Sequence, residues 1–524
     1  MILIRAKRFD TLILGFILLV VSVRCSRELS DCDGADLNVD ALNSLKATIG
    51  SSGPRAFLVV PNPIEATQSA SVLATDSGLS RVTDPFQLGG LMTSTRLENE
   101  FLKVRIKSIQ DEVSSLATPN TKDGSFSYPV SDVHYSEVMA YYAVSNVKRY
   151  VEALGFPVIQ NRPLYVMVRG NDEDTAAGEV NAYYLHNRRN TSLPREMILY
   201  GDTAHTPGVD RDVYWHEFGH LFNESVSGDV GIDMAGESGA VYSEGAALHE
   251  CLADHLAESV SNRGYIGRWV AQNFSSVKAG DPLRSALKSN DDKNSYQNVA
   301  NFDATGKNLD RYRLAEWCSR VLWDIRTQFS KESPQRGAFL SDRLVFSAVS
   351  LLKKDASMKQ FREALSKADG EMYCGLHSKS IKNAFESRGY NDAPTVLSNP
   401  LQLSAAVNVY SVDGSNITKP TSLPGSTAFF TVKIVNPNSA VARNVRVQLE
   451  AVDENLVPIA YSQSYGDLPA GATILTTQAN GLDPMVYGVN GGVPTNSKAN
   501  RIKYRLKVVI DNGPTTTNTG DFGL

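Results

Sequence analysis

A chain of 524 residues, 42% apolar and 21% charged, has an ordinary globular composition and is too long for one hydrophobic core, which points to about three domains. Its net charge of −5, with no long basic run beyond the first residues, argues against a nucleic-acid partner. Five widely and irregularly spaced cysteines without a C-x-x-C pair exclude a disulfide-scaffold class and a zinc knuckle.

Residues 1–25 read as an export signal. Arg5, Lys7 and Arg8 give a positive start, and Leu12 to Val23 is an apolar run too short to be read as a membrane span. Val20-Val21-Ser22 offers small residues for cleavage. The expected location is outside the cytoplasm, secreted or held at the cell envelope. Cys25 is a candidate for lipid attachment to a membrane, although Arg24 before it departs from a lipobox.

Residues 26–125 read as a leader or pro-like region. Within it, Ala56 to Val60 forms a strand pattern stopped by Pro61, and Leu97 to Val113 fits a strand or a helix equally. A first folded lobe is expected over 126–262. Ser136 is the expected cap of a helix carrying Val144, Val147, Val151 and Leu154, which Gly155 stops. Strands are expected at Leu164–Val168, Asn181–Tyr184 and Met197–Tyr200, then helices from Asp212 through His220 and from Ala246 to Val260. A helical lobe over 263–395 follows. Leu314, Trp317, Val321 and Ile325 recur at spacings of three and four, the stripe of a buried helix face. Weaker stripes pair Phe361 with Leu365 and Ile381 with Phe385.

Past the polar linker Asn391–Pro400 the period changes to two. Phe430, Val432 and Ile434 alternate with polar residues, as do Val445, Val447 and Leu449, and the run from Ile502 to Ile510. Residues 401–524 therefore read as an antiparallel, Ig-like β-sandwich, a module for docking a surface or a substrate.

The chemistry concentrates in Trp215-His216-Glu217-Phe218-Gly219-His220. Two histidines four apart share one helix face, so both imidazoles reach one Zn²⁺. Glu217 then faces the water that the metal activates and acts as the base. Val226 stands where a third histidine would give the metzincin pattern, and Phe222 where that pattern wants glycine. An acidic third ligand from a second helix remains. Glu250 supplies it, and Asp254, four residues on, accepts the outer N–H of a ligating imidazole. Glu244, His249 and His255 are rivals; the two histidines read as surface or packing residues.

On these patches the chain resembles the thermolysin and fungalysin families. The resemblance runs from about 130 to 390. It includes Asn181-Ala182-Tyr183-Tyr184 with Met197-Ile198-Leu199-Tyr200-Gly201-Asp202, the zinc helix, Glu244-Gly245-Ala246-Ala247-Leu248-His249-Glu250 with Asp254, and Ala384-Phe385-Glu386-Ser387-Arg388-Gly389. It implies an α+β, two-lobed catalytic unit with a cleft between the lobes, and Asn181 and Ala182 binding an extended peptide as an added strand. These families stabilise the oxyanion with a histidine on the helical lobe. At the matching place this chain has Arg311-Tyr312-Arg313. Tyr312 is the expected donor, with a neighbouring Arg or Tyr242 as alternatives. Cys251, where small residues are usual, is a second departure.

The expected activity is that of an exported zinc metalloendopeptidase acting on protein or peptide substrates. The alternatives are a zinc-binding but catalytically impaired relative and a binding or adhesion protein. An aminopeptidase is disfavoured, because the Gly-x-Met-Glu-Asn patch that reads a free amine is missing.

Overall fold

The alternation of the two periods becomes a mixed α+β fold in the computed structural model, which describes residues 53–93, 95–106, 117–157, 163–168, 180–185, 195–200, 204–227, 244–289, 294–300, 311–353, 356–390, 397–410, 427–452, 456–458, 462–465, 468–475, 485–489 and 501–523. The signal-like segment with Cys25, Tyr242, and residues 391–396 of the linker lie outside these.

Strand β1 (Arg55–Leu58) is followed by a short helix, α1 (Pro63–Thr67), whose first turn is capped by the Asn62 side chain accepting from the Glu65 N–H. β1 pairs antiparallel with β2 (Asp84–Gln87). Of the ambiguous stretch 97–113, residues 102–105 form a strand, β3 (Leu102–Arg105).

Helix α2 (Val133–Ala153) starts earlier than expected. Its cap is Asp132, whose carboxylate accepts from the His134 N–H at 2.9 Å, and Ser136 is buried in the helix instead. Asp132 has the extended cap backbone, and its negative charge suits the positive end of a helix. Gly155 follows the helix end with φ +96°, a conformation natural to glycine.

β4 (Leu164–Val168), β5 (Asn181–Leu185) and β6 (Arg195–Tyr200) join β3 in one sheet of order β3-β4-β6-β5. The β3-β4 and β4-β6 pairs are parallel, and β5 runs antiparallel to β6 at the edge. Two long helices follow, α3 (Arg211–Ser227) and α4 (Glu244–Ser261). The hairpin β7 (Tyr265–Ile266) and β8 (Arg284–Ser285) leads into a run of helices. These are α5 (Tyr296–Val299), α6 (Arg311–Glu332), α7 (Gly337–Val349), α8 (Met358–Tyr373) and α9 (Ser378–Ser387). Leu314, Trp317, Val321 and Ile325 of α6 are all fully buried, as their spacing requires.

Helix α4 is central. Every residue from Glu244 to Ser259 is buried, with α3 on one side and α6 on another. Cys251 and Cys318 form a disulfide from α4 to α6, a link that their separation of 67 residues does not announce. Cys374 is also disulfide-bonded.

The C-terminal strands are β9 (Gln402–Tyr410), β10 (Thr427–Val435), β11 (Arg446–Val452), β12 (Leu456–Pro458), β13 (Ser462–Ser464), β14 (Thr473–Leu475), β15 (Met485–Val489), β16 (Arg501–Val509) and β17 (Thr516–Gly523). They form two antiparallel sheets. One has the order β12-β15-β10-β14 with β9 also on β10; the other is β13-β11-β16-β17. Val432 and Ile434 of the first are buried, as are Val447, Leu506 and Val508 of the second, which is the alternation read from the sequence.

Asp342 of α7 is fully buried and ties four helices together. Tyr150 of α2 and Ser259 of α4 donate to it, and the Arg326 Nε of α6 lies 3.0 Å away. Burial would raise its pKa; the Arg326 guanidinium and the other donors outweigh this and hold it at about 2. Because that value lies below the unfolded one, the charge stabilises the fold fully above about pH 4, and the contribution disappears as pH falls through about 2. Asp342→Asn should lower unfolding free energy at neutral pH by about 3–5 kcal/mol, the cost of leaving a buried partner unpaired. Between pH 5 and pH 2 the variant should lose less stability than wild type, as read by urea denaturation.

Candidate metal centre and cleft

Helix α3 carries His216, Glu217 and His220 on its buried side, and α4 brings Glu250 to meet them. The approach depends on Gly219. A Cβ there would lie 2.6 Å from Ala253 Cα, so only glycine lets the two backbones come this close.

The donor atoms converge. His216 Nε2 and His220 Nε2 are 3.1 Å apart, and Glu250 Oε2 lies 3.4 Å from the first and 3.9 Å from the second. Ligands about 2.0–2.1 Å from a tetrahedral ion are separated by roughly 3.3 Å, so the three atoms form one face of such a site. The three side chains are buried and could hold a metal ion.

The outer nitrogen of each histidine is engaged. His216 Nδ1 lies 2.7 Å from Asp254 Oδ1, the orienting contact expected from the spacing of Glu250 and Asp254. Asp254 is held in turn by Arg284 of β8, whose Nε and Nη2 donate at 2.6 and 2.7 Å. His220 Nδ1 lies 2.7 Å from His249 Nδ1, and the two rings stack at 4.5 Å. A metal on His220 Nε2 would leave the ring proton on Nδ1, which would then donate to His249. The reading of His249 as a surface or packing residue is therefore corrected. It sits beside Glu250 on α4, but the helix turns its ring under α3, a direction that a neighbouring position in sequence does not reveal. His255 is a packing residue, fully buried against Asp342. Glu244, at the start of α4, is not part of the cluster; it accepts from the Tyr296 hydroxyl and from the Met358 N–H at the start of α8.

Charge balance follows from these contacts. Burial pushes His216 down, but the Asp254 and Glu250 carboxylates outweigh it and raise its pKa to about 10. Burial, with His249 alongside, holds His220 well below the usual imidazole range. Burial opposes ionisation of Glu250 and Asp254, yet His216 lowers the first and Arg284 the second. Glu217 behaves differently: burial raises it to about 7. The Tyr184 main-chain N–H nearby opposes this rise weakly, while Oε2 is buried and has no hydrogen-bond partner among the described residues. That oxygen is available to a reacting group.

A cleft of about 740 Å³ opens over these residues. Edge strand β5 contributes Asn181 and Ala182. Val213, Ile266, Val270, Phe274, Val277 and Leu283 give it an apolar wall. Asp210 ties that wall to α3: it accepts from the Asp212 N–H at the helix start and from the Trp269 and Val270 N–H groups. Tyr312 and Arg311, at the start of α6, also line the cleft. The Arg311 guanidinium donates to the Tyr312 hydroxyl at 2.7 Å, and its Nε lies 4.0 Å from Glu250 Oε1. Spacing does not identify Arg284 as a site residue, and it gives His249 only as a rival ligand and Arg311 only as an Arg neighbouring Tyr312. Each reaches the site by tertiary packing, and no local pattern marks it.

No protein-family model matches this chain, and comparison with curated proteins finds no match.

Two outcomes follow for metal binding. Gly219→Ala should push α4 away and weaken metal affinity by at least about tenfold in a chelator competition, whereas a surface Ala substitution should leave it unchanged. His249→Ala should weaken affinity by about 10–100-fold, with His249→Asn, which restores an acceptor, recovering part of the loss.

Proposed function

We propose that this protein is an exported, zinc-dependent metalloendopeptidase with a thermolysin- or fungalysin-like catalytic unit of two lobes. The observation that carries the reading is the 3.1–3.9 Å triangle of His216, His220 and Glu250 with the partnerless Glu217 Oε2 beside it. Two imidazoles and one carboxylate are the protein ligands of a catalytic zinc site that keeps one position open. When bound, zinc polarises the scissile carbonyl and lowers the pKa of a water toward about 7.

The chain's own residues supply the rest. Glu217, raised to about 7 by burial, takes a proton near neutral pH and returns it to the leaving amine. Ala182 points its N–H away from β6, because it shares the parity of Tyr184, whose N–H lies on the side of Glu217. The Asn181 side chain accepts that N–H at 2.9 Å, holding the place of a substrate carbonyl and swinging aside when an extended peptide adds to the edge. The Tyr312 hydroxyl and Arg311 are assigned to the developing oxyanion, a role in which one donor is worth about 10²–10³ in rate. The apolar wall binds a substrate side chain.

Export rests on the charged-then-apolar N-terminus and gains support from the buried Cys251–Cys318 bridge, since disulfides persist in oxidising compartments. Lipid attachment at Cys25 would hold the enzyme at a membrane. The two C-terminal antiparallel sheets are read as a sandwich that docks a surface or substrate.

Purified protein should contain one zinc per chain and cleave casein until a chelator is added. Glu217→Gln should keep its zinc and lose about 10²–10⁴-fold in kcat. Zinc without cleavage in the wild type would replace this reading with an impaired relative, and a chain with no zinc would end it.

A further inference from the structure

Most buried polar clusters outside the metal centre close on themselves. Asp342 is taken up by Tyr150, Ser259 and Arg326, and Glu244 by Tyr296 and Met358. One pair instead faces the cleft. The Tyr184 hydroxyl on β5 donates to Glu224 Oε2 on α3 at 3.0 Å, and both residues line the cavity.

We propose that the Tyr184–Glu224 hydrogen bond is a clamp that fixes the substrate-binding edge strand on the metal helix, making both side chains positioning residues. This rests on the hydrolase reading and adds to it the device that aligns base and substrate strand.

The argument starts from the edge. β5 has a strand partner, β6, on one side, and its other side faces the cleft. A five-residue strand paired on one side is weakly held, and its register and tilt need another support. Tyr184 supplies it at two points. Its hydroxyl donates to Glu224 at 3.0 Å, and its main-chain N–H lies on the side of the Glu217 carboxyl. Glu217 and Glu224 are seven residues apart, two turns along one face of α3 and roughly 10 Å along its axis. One contact would set the position of the strand; two so widely spaced also set its direction.

The consequences reach both halves of the reaction. The Tyr184 N–H lies on the side of the Glu217 carboxyl that moves the proton. Ala182, two residues back, presents its N–H to the same side, so the tilt of the strand decides where a substrate backbone pairs. Glu224 is buried at 6% exposure, and a carboxylate so placed needs a donor, which the phenol provides.

The test uses the full-length, zinc-loaded chain and an internally quenched peptide. Tyr184→Phe keeps the ring and removes only the hydroxyl. It should lower kcat by about tenfold and raise KM by no more than about threefold, because reacting groups lose alignment while the binding surface survives. Glu224→Ala should do the same, and the double variant should be no worse than either alone, since both remove one interaction. Glu224→Gln, which keeps an acceptor oxygen, should recover most of what Glu224→Ala loses. Amide hydrogen exchange over residues 181–185 should speed up in Tyr184→Phe, with and without zinc, while the helices keep their protection. A kcat within about twofold of wild type in Tyr184→Phe, losses that multiply in the double variant, or unchanged exchange in 181–185 would overturn the clamp. Exchange that rises throughout the chain would overturn it as well, by showing a general packing role. If the wild type cleaves no peptide, the hydrolase reading fails, and exchange over 181–185 alone decides the clamp.

Discussion

The close contact of Gly219 with Ala253 is the constraint on which the site depends. Two helices that meet through ordinary side chains stand about 8–10 Å apart, and a carboxylate on one then reaches past the histidines of the other. Removing the Cβ at 219 brings α4 close enough for Glu250 Oε2 to stand beside both Nε2 atoms. The same approach lets Asp254 and His249, on successive turns of α4, reach His216 and His220 from behind. One missing methyl group thus sets the ligand triangle and both of its orienting contacts.

Such closeness has a cost, which the surrounding structure offsets. The central helix is buried along nearly its whole length yet carries Glu244, His249, Glu250, Asp254, His255 and Glu258. Buried polar groups are tolerable only when bonded. Glu244 is satisfied at the start of the helix and Asp254 by a two-point Arg284 contact. Glu258 is pushed well above the usual carboxylate range by burial, with the Asp254 charge nearby. The Cys251–Cys318 bridge and the Asp342 network then fix α4 against the helices beneath it. Rigidity is thereby concentrated in the element whose position matters most.

The electrostatic pattern has the same logic. Charges around the metal ligands are arranged as a chain, Arg284 to Asp254 to His216, in which each member stabilises the next. In a buried setting these interactions are stronger than in water. Glu217 is set apart from that chain, raised by burial to about 7.

What was legible in the sequence is what regular geometry enforces. Helical repeat puts His216 and His220 on one face and Glu250 and Asp254 on another, whatever the tertiary fold. Alternation placed Val432, Ile434 and Val447 inside the C-terminal sheets, and the stripe from Leu314 to Ile325 in the helical core. Interactions between segments distant in sequence follow no such repeat. That His249 turns under His220, that Arg284 holds Asp254, that Tyr184 meets Glu224, and that Cys251 finds Cys318 were decided only when the helices packed. Each depends on the distance and rotation between elements, and a linear spacing carries neither quantity.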